Sequence, residues 1–285
     1  MSQVLNHHHA DHELQDHDRG LVFDITTMDR RRMLQLLGFG GLSASLFTIV
    51  GCGPAGASGT PLAATASATA ASGASCAVIP EETAGPFPGD GSNGPNVLSE
   101  DGVVRSDIRS SFGSSSTVAE GVPLAIKLTI EDAGGDCAPI AGAAVYLWHC
   151  DRDGAYSLYS NSVADENYLR GVQAADDSGQ VTFQSIFPAA YPGRWPHIHF
   201  EVYPSLELAT DEGNKIATSQ IALPKDACDL VYATDGYAES VQTMSGLSLA
   251  SDMVFRDDSA AQQLGTVSGS VDAGLTVSAL IPVST

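Results

Sequence analysis

Beyond residue 120, apolar and polar positions alternate with a period of two, the mark of strands with one face turned to a core. The stretch 123–132, PLAIKLTIED, carries apolar side chains at every second position and runs into the turn sequence AGGDCAP. A second strand is predicted over 143–151, closed by the turn residues Arg152, Asp153 and Gly154. In 179–188, Val181, Phe183 and Ser185 share one face, behind a turn signal at Asp177, Ser178 and Gly179. Further strands are predicted over 196–204, 215–224, 251–257, 263–271 and 275–283. Helical periodicity is confined to a turn or two around 226–245. Many short strands set off by Gly and Pro turns predict an all-β fold: a β-sandwich of mixed and antiparallel strands with long loops and little helix, or an open barrel. No internal repeat is visible.

The first 75 residues follow a different pattern. Residues 1–27 are polar and His-rich, including His7, His8 and His9, and read as a disordered tail rather than a metal site. In 28–51, Arg30, Arg31 and Arg32 precede Met33, Leu34 and an apolar run rich in Gly and Ser, which resembles a twin-arginine export signal more than a transmembrane anchor. The run ends Ile49, Val50, Gly51, Cys52, similar to a lipobox in which Cys52 becomes a lipid-anchored N-terminus; ordinary cleavage among the following alanines is the other reading. Residues 52–75 are small and uncharged, and are expected to form a flexible tether. The globular domain is therefore expected over 76–285, exported to the cell envelope or beyond.

Composition narrows the partners. The chain of 285 residues has a net charge of −21, which argues against nucleic acid and anionic lipid surfaces as ligands. Setting Cys52 aside, Cys76, Cys137, Cys150 and Cys228 remain, an even number that in an exported domain predicts two disulfides with three open pairings. Their spacing does not resemble a zinc site.

The chemistry concentrates in AAYPGRWPHIHFEVY, residues 189–203. On a strand, His197 and His199 project to the same face, two neutral imidazoles that suit a transition metal; two structural histidines are the alternative. Upstream, Tyr156 and Tyr191 each follow a turn at the mouth of a strand. A phenol, with a pKa of about 10, ionises readily only beside a strong Lewis acid such as a ferric ion. Two tyrosinates, two imidazoles and one hydroxide would neutralise Fe(III).

The segments WHCDRDGAYS, YLRGVQAADDSGQVTFQSIFPAAYPGR and PHIHF resemble the intradiol ring-cleavage dioxygenases of the protocatechuate and catechol dioxygenase type, and IPEETAGPFPGDG (79–91) is similar to the segment that precedes their domain. The resemblance covers roughly residues 77–225. It implies a non-haem Fe(III) enzyme that opens a catechol-type aromatic diol between its hydroxyls with O₂, giving a cis,cis-muconate-type diacid without an organic cofactor. It also implies the site residues: Tyr156, Tyr191, His197 and His199 as iron ligands, Tyr191 being the ligand that leaves on substrate binding, with Arg194 and Gln220 stabilising negative charge on the ring. Of the neighbouring tyrosines, Tyr159 and Tyr168 do not follow the Gly turn as Tyr156 does. Trp148 and His149 are expected to serve packing and support of the ligands. The interval between His199 and Gln220 is longer than the family pattern suggests, and 229–285 lies outside the match, expected either to complete the sandwich or to form a partner surface. The rival functions are a non-catalytic exported β-sandwich module and a zinc or copper enzyme built on the two histidines.

Overall fold

The alternating stretches fold into two sheets packed face to face, in a computed structural model that describes residues 76–285. The predicted tail over 1–27, export signal over 28–51, Cys52 and tether over 52–75 lie outside the described residues. The first sheet centres on β1 (Pro123–Asp132), which buries Leu124, Ile126, Leu128 and Ile130. Along β1 run β5 (Gln180–Ile186) and the short β2 (Ala138–Pro139), both antiparallel, and β9 (Gly274–Val283), which is parallel. β8 (Thr266–Ser270) continues the sheet beyond β9. The second sheet is antiparallel throughout, in the order β4 (Arg170–Ala174), β3 (Ala144–Trp148), β6 (His197–Tyr203), β7 (Ala217–Ala222).

Between the sheets lie Ile126, Leu128 and Phe183 from the first and Val145, Leu147, Ile198, Phe200 and Val202 from the second. Burial of each such side chain contributes about 1.5–3 kcal/mol. Two short helices, α1 (Lys225–Tyr232) and α2 (Ala238–Met244), close the same core with Cys228, Val231, Tyr232 and Met244. They fall where the helical turns are predicted. The segment from 229 onward thus completes the sandwich, with β9 beside the central strand β1.

The second sheet is also covered on its outer face. Ala144, Tyr146, Trp148 and Tyr203 pack there against Val97, Leu98, Val103 and Tyr156. Every residue of β6 is consequently buried. This is the face that carries His197 and His199.

Three expectations need correction. Residues 251–257 are turns, not a strand. The carboxylate of Asp252 accepts the backbone N–H groups of Val254 (2.8 Å) and Phe255 (3.1 Å), so those amides cannot join a ladder. β4 has no counterpart among the predicted strands, because RGVQA is short and its Gly, Gln and buried Arg170 hide the alternation. Instead of two disulfides, the described residues contain one, Cys76–Cys137. Cys150 and Cys228 are free, buried, and members of different apolar clusters. Burial pushes both thiols well above their ordinary range, which keeps them unreactive.

Candidate metal centre

The site is assembled at the start of β6. His197 and His199 lie on its outer face, and the strands on either side supply their neighbours: Trp148 on β3 and Gln220 on β7 both pair with His199. The Trp148 indole stacks flat on the His199 ring at 4.8 Å. The 21-position separation of His199 from Gln220 is taken up by a loop containing a turn of 3₁₀ helix at Glu212–Asn214, and strand register restores the two to adjacent positions.

A tight turn sets the tyrosine and arginine ahead of β6. The Arg194 N–H donates to the Tyr191 carbonyl at 3.3 Å, with Pro192 and Gly193 between them. Gly193 has a φ of 88°, as the third position of a type II turn requires. The loop after β3 is shaped by Asp151, whose Oδ1 accepts the N–H groups of Asp153 (3.0 Å) and Ala155 (2.9 Å). At its tip Gly154 has a φ of 82°, and a Cβ there would lie 3.3 Å from the Tyr191 Cβ. That close approach brings the loop carrying Tyr156 against Tyr191.

Four donor atoms converge as a result. The Tyr156 hydroxyl lies 3.4 Å from that of Tyr191 and 3.5 Å from His197 Nε2. The Tyr191 hydroxyl lies 3.2 Å from His197 Nε2, which is 3.0 Å from His199 Nε2. Donors that share one cation at about 2 Å are themselves about 3 Å apart, so this spacing fits a metal ion. The tautomer fits too. His197 Nδ1 lies 2.5 Å from the Trp195 carbonyl, which can only accept, so the ring proton sits on Nδ1 and the Nε2 lone pair faces the cluster.

Burial sets the protonation of the set. It holds His197 and His199 well below the ordinary imidazole range, and the Arg194 charge adds to this at both. The rings are therefore neutral ligands. Burial, then Tyr191, raises the Tyr156 phenol well above its ordinary value. Without a cation it stays protonated; two phenols and two neutral imidazoles are a set that a hard, highly charged cation converts to two phenolates and two imidazoles. Tyr156 is buried and packs on Phe87 at 4.9 Å, whereas Tyr191 is partly exposed.

Arg194 is buried beside this set. Its Nη2 donates to Gln220 Oε1 at 2.6 Å, and Gln220 Nε2 donates to the Thr83 carbonyl at 2.9 Å, on the segment that precedes the sandwich. On the other side Arg194 Nε donates to Asp252 Oδ2 at 3.1 Å. Asp252 has no counterpart among the predicted site residues; nothing in a run reading SDMVFRD points to an arginine 58 positions upstream.

The remaining candidates are engaged elsewhere. His149 joins the two sheets, its Nε2 lying 2.6 Å from Ser185 Oγ on β5 and its Nδ1 2.7 Å from the Cys150 carbonyl. The Tyr168 hydroxyl donates to Asp151 and that of Tyr159 to Asn93. Of the described residues, Cys76, Glu131 and Cys137 form the one group of three or more His, Cys, Asp or Glu donors close enough to chelate, and its two sulfurs are tied in the disulfide.

Comparison with known proteins bears on the family and the fold. A family model described as Dioxygenase matches residues 105–242. The chlorocatechol 1,2-dioxygenase of Rhodococcus opacus is 36% identical over 63 residues, 22% of this chain and 24% of that protein. The catechol 1,2-dioxygenase of Candida albicans is 30% identical over 79 residues, 27% of this chain and 26% of that protein. These matches span about a quarter of the length of each curated relative. The solved intradiol ring-cleavage dioxygenase from Tetranychus urticae superposes with a TM-score of 0.57 at 25% identity, covering 73% of this chain and 95% of that one.

Proposed function

The chain belongs to the intradiol ring-cleavage dioxygenase family, and on that premise we propose that it opens a catechol-type diol between its two hydroxyls with O₂, giving a cis,cis-muconate-type diacid. The observation that carries the proposal is the convergence of the Tyr156, Tyr191, His197 and His199 donor atoms at 3.0–3.5 Å. In this reading those four residues hold a non-haem ferric ion. Bound there, it would supply the Lewis acidity that binds a diol through both oxygens and makes its ring attackable by O₂.

The protein's own residues do the rest. Tyr191, the more exposed phenol, is the one that gives way to the diol, and its Oη takes up a proton from an incoming hydroxyl. Tyr156, packed on Phe87, stays in place. Arg194 donates to the Gln220 side-chain oxygen, and from this joined pair the permanent guanidinium charge stabilises negative charge developing on the ring carbon. Trp148 and Phe87 wall the site with aromatic surface and exclude water.

The product comprises the diol plus both atoms of one O₂. Iron-loaded protein is to be mixed with catechol, protocatechuate or hydroxyquinol under labelled O₂. Uptake of one O₂ per ring, with two labelled oxygens in a muconate-type diacid, is expected. Absence of uptake with every diol, or a product cut outside the two hydroxyls, contradicts the proposal.

The same reading places the enzyme outside the cytoplasm, tethered at Cys52. Its supports are the arginine-led apolar run over 28–51 and the Cys76–Cys137 disulfide, a bond suited to oxidising compartments. Cys52→Ser is expected to release the protein from the membrane fraction of an exporting cell; retention there counts against the anchor.

A further inference from the structure

We infer that Asp252 is a positioning residue for the reaction: it holds the Arg194 guanidinium, and through it Gln220, against the ligand cluster. Asp252 lies beyond the residues matched by the family model, which end at 242. The inference rests on the ring-cleaving reading of the site, and its test separates the two.

Both oxygens of Asp252 are committed. Oδ2 accepts Arg194 Nε at 3.1 Å and the Trp195 N–H at 2.6 Å. Oδ1 accepts the N–H groups of Val254 (2.8 Å) and Phe255 (3.1 Å), which lock the turn that presents the carboxylate. The ion pair is sealed, with side-chain exposures of 1% for Arg194 and 0% for Asp252. A buried guanidinium needs such a partner, since an uncompensated charge there is strongly unfavourable.

The geometry assigns a direction to the restraint. With Nε held by Asp252, the Nη2 edge of the planar fork faces Gln220 Oε1 at 2.6 Å. The second contact of Oδ2 fixes the backbone at Trp195, whose carbonyl in turn sets the His197 tautomer. One carboxylate from the C-terminal segment therefore orients the charge-stabilising pair and braces the chain two residues before the first imidazole. The aspartate stands at the head of the apolar residues Met253, Val254 and Phe255, and its side chain is turned wholly inward. That is an unfavourable placement unless the carboxylate is needed where it points.

The test uses the iron-loaded full chain and a double-mutant cycle with Asp252→Asn and Arg194→Ala. The amide keeps the size of the side chain but replaces one acceptor oxygen by a donor. Asp252→Asn is expected to lower kcat roughly 10- to 100-fold, with KM for catechol changed less than about threefold and iron content unchanged. In the Arg194→Ala background the same change is expected to have little further effect on kcat. A kcat per bound iron equal to wild type in Asp252→Asn overturns the inference, as does an undiminished effect of Asp252→Asn when Arg194 is absent.

A second measurement needs neither turnover nor an Asp252 variant. In the wild-type protein the Arg194 Nε–H, assigned by comparison with Arg194→Lys, is expected to exchange with solvent at least ~100-fold more slowly than an exposed arginine Nε–H. Fast exchange overturns the inference. Slow exchange in a protein that opens no diol leaves the Asp252–Arg194 restraint standing and removes only the ring-cleaving reading.

Discussion

The two faces of the second sheet are built from alternate residues of the same strands, and both are buried. The inner face carries Val145, Leu147, Ile198, Phe200, Val202 and Ile221, and packs against the first sheet. The outer face carries Tyr146, Trp148, His197, His199, Glu201 and Gln220, equally hidden from solvent under the segment from 79 to 104 and the loop that holds Tyr156. On the inner face, contact area suffices. On the outer one, polar groups face one another: Glu201 meets Tyr203 at 2.7 Å and Lys215 at 3.1 Å, Tyr146 meets the Pro88 carbonyl at 2.6 Å, and Gln220 spans Arg194 and Thr83. Burial alone therefore does not separate core from site; the difference lies in what each buried group is asked to contact.

That contrast is sharpest at two neighbours on β6. His197→Ala removes a donor from the outer cluster and is expected to leave a folded protein that retains no iron after dialysis and opens no diol, checked by metal analysis and O₂ uptake. Ile198→Ala, one residue on, empties part of the inner face. It is expected to cost about 2–5 kcal/mol of stability in a urea titration, yet to keep its iron and its turnover per iron. Equal loss of both properties in both variants would erase the distinction between the faces.

A smaller effect is expected from acid. Burial holds His149 down to about 4, well under its ordinary value of 6.5. A histidine depressed in this way is neutral in the folded state while the unfolded chain takes up the proton. Its contribution is therefore intact above pH 6.5 and is lost as pH falls towards 4, an expected loss of about 3 kcal/mol. His149→Gln should flatten the acid limb of the stability curve of the metal-free protein by about that amount; an unchanged limb contradicts the assignment. At the bottom of the scale is an exposed pair on α1, Lys225 and Asp229, 2.6 Å apart. Lys225→Ala is expected to shift stability by less than about 0.5 kcal/mol, and a larger shift would show that surface polar contacts matter here as the outer-face ones do.

Local rules make part of the donor set legible, while the place of Tyr156 in it comes from the family resemblance and a contact across 35 positions. A period of two puts His197 and His199 on one face, and Pro192-Gly193 makes the turn that returns Tyr191 towards Arg194. The sandwich is legible from the strands around β1, β6 and β9. Gln220 stands opposite His199 despite the long interval, because register rather than sequence distance decides which side chains meet. What is not legible depends on long-range partners. The apolar residues Met253, Val254 and Phe255 look like a strand, and only the capture of two of their amides by Asp252 makes them a turn. The same aspartate becomes a partner of Arg194 only once the C-terminal segment has closed the sandwich. Cysteine parity predicts a second disulfide, whereas Cys150 and Cys228 are used as small buried apolar residues in separate clusters.

The most direct measurement is the visible spectrum and iron content of the purified protein, wild type beside Tyr156→Phe. One iron per chain and a red to burgundy absorption from phenolate-to-ferric charge transfer are expected in the wild type, with that band strongly weakened in Tyr156→Phe. A colourless wild-type protein that takes up no ferric ion, or a Tyr156→Phe variant with the full band, would contradict a ferric centre held by these two tyrosines and two histidines.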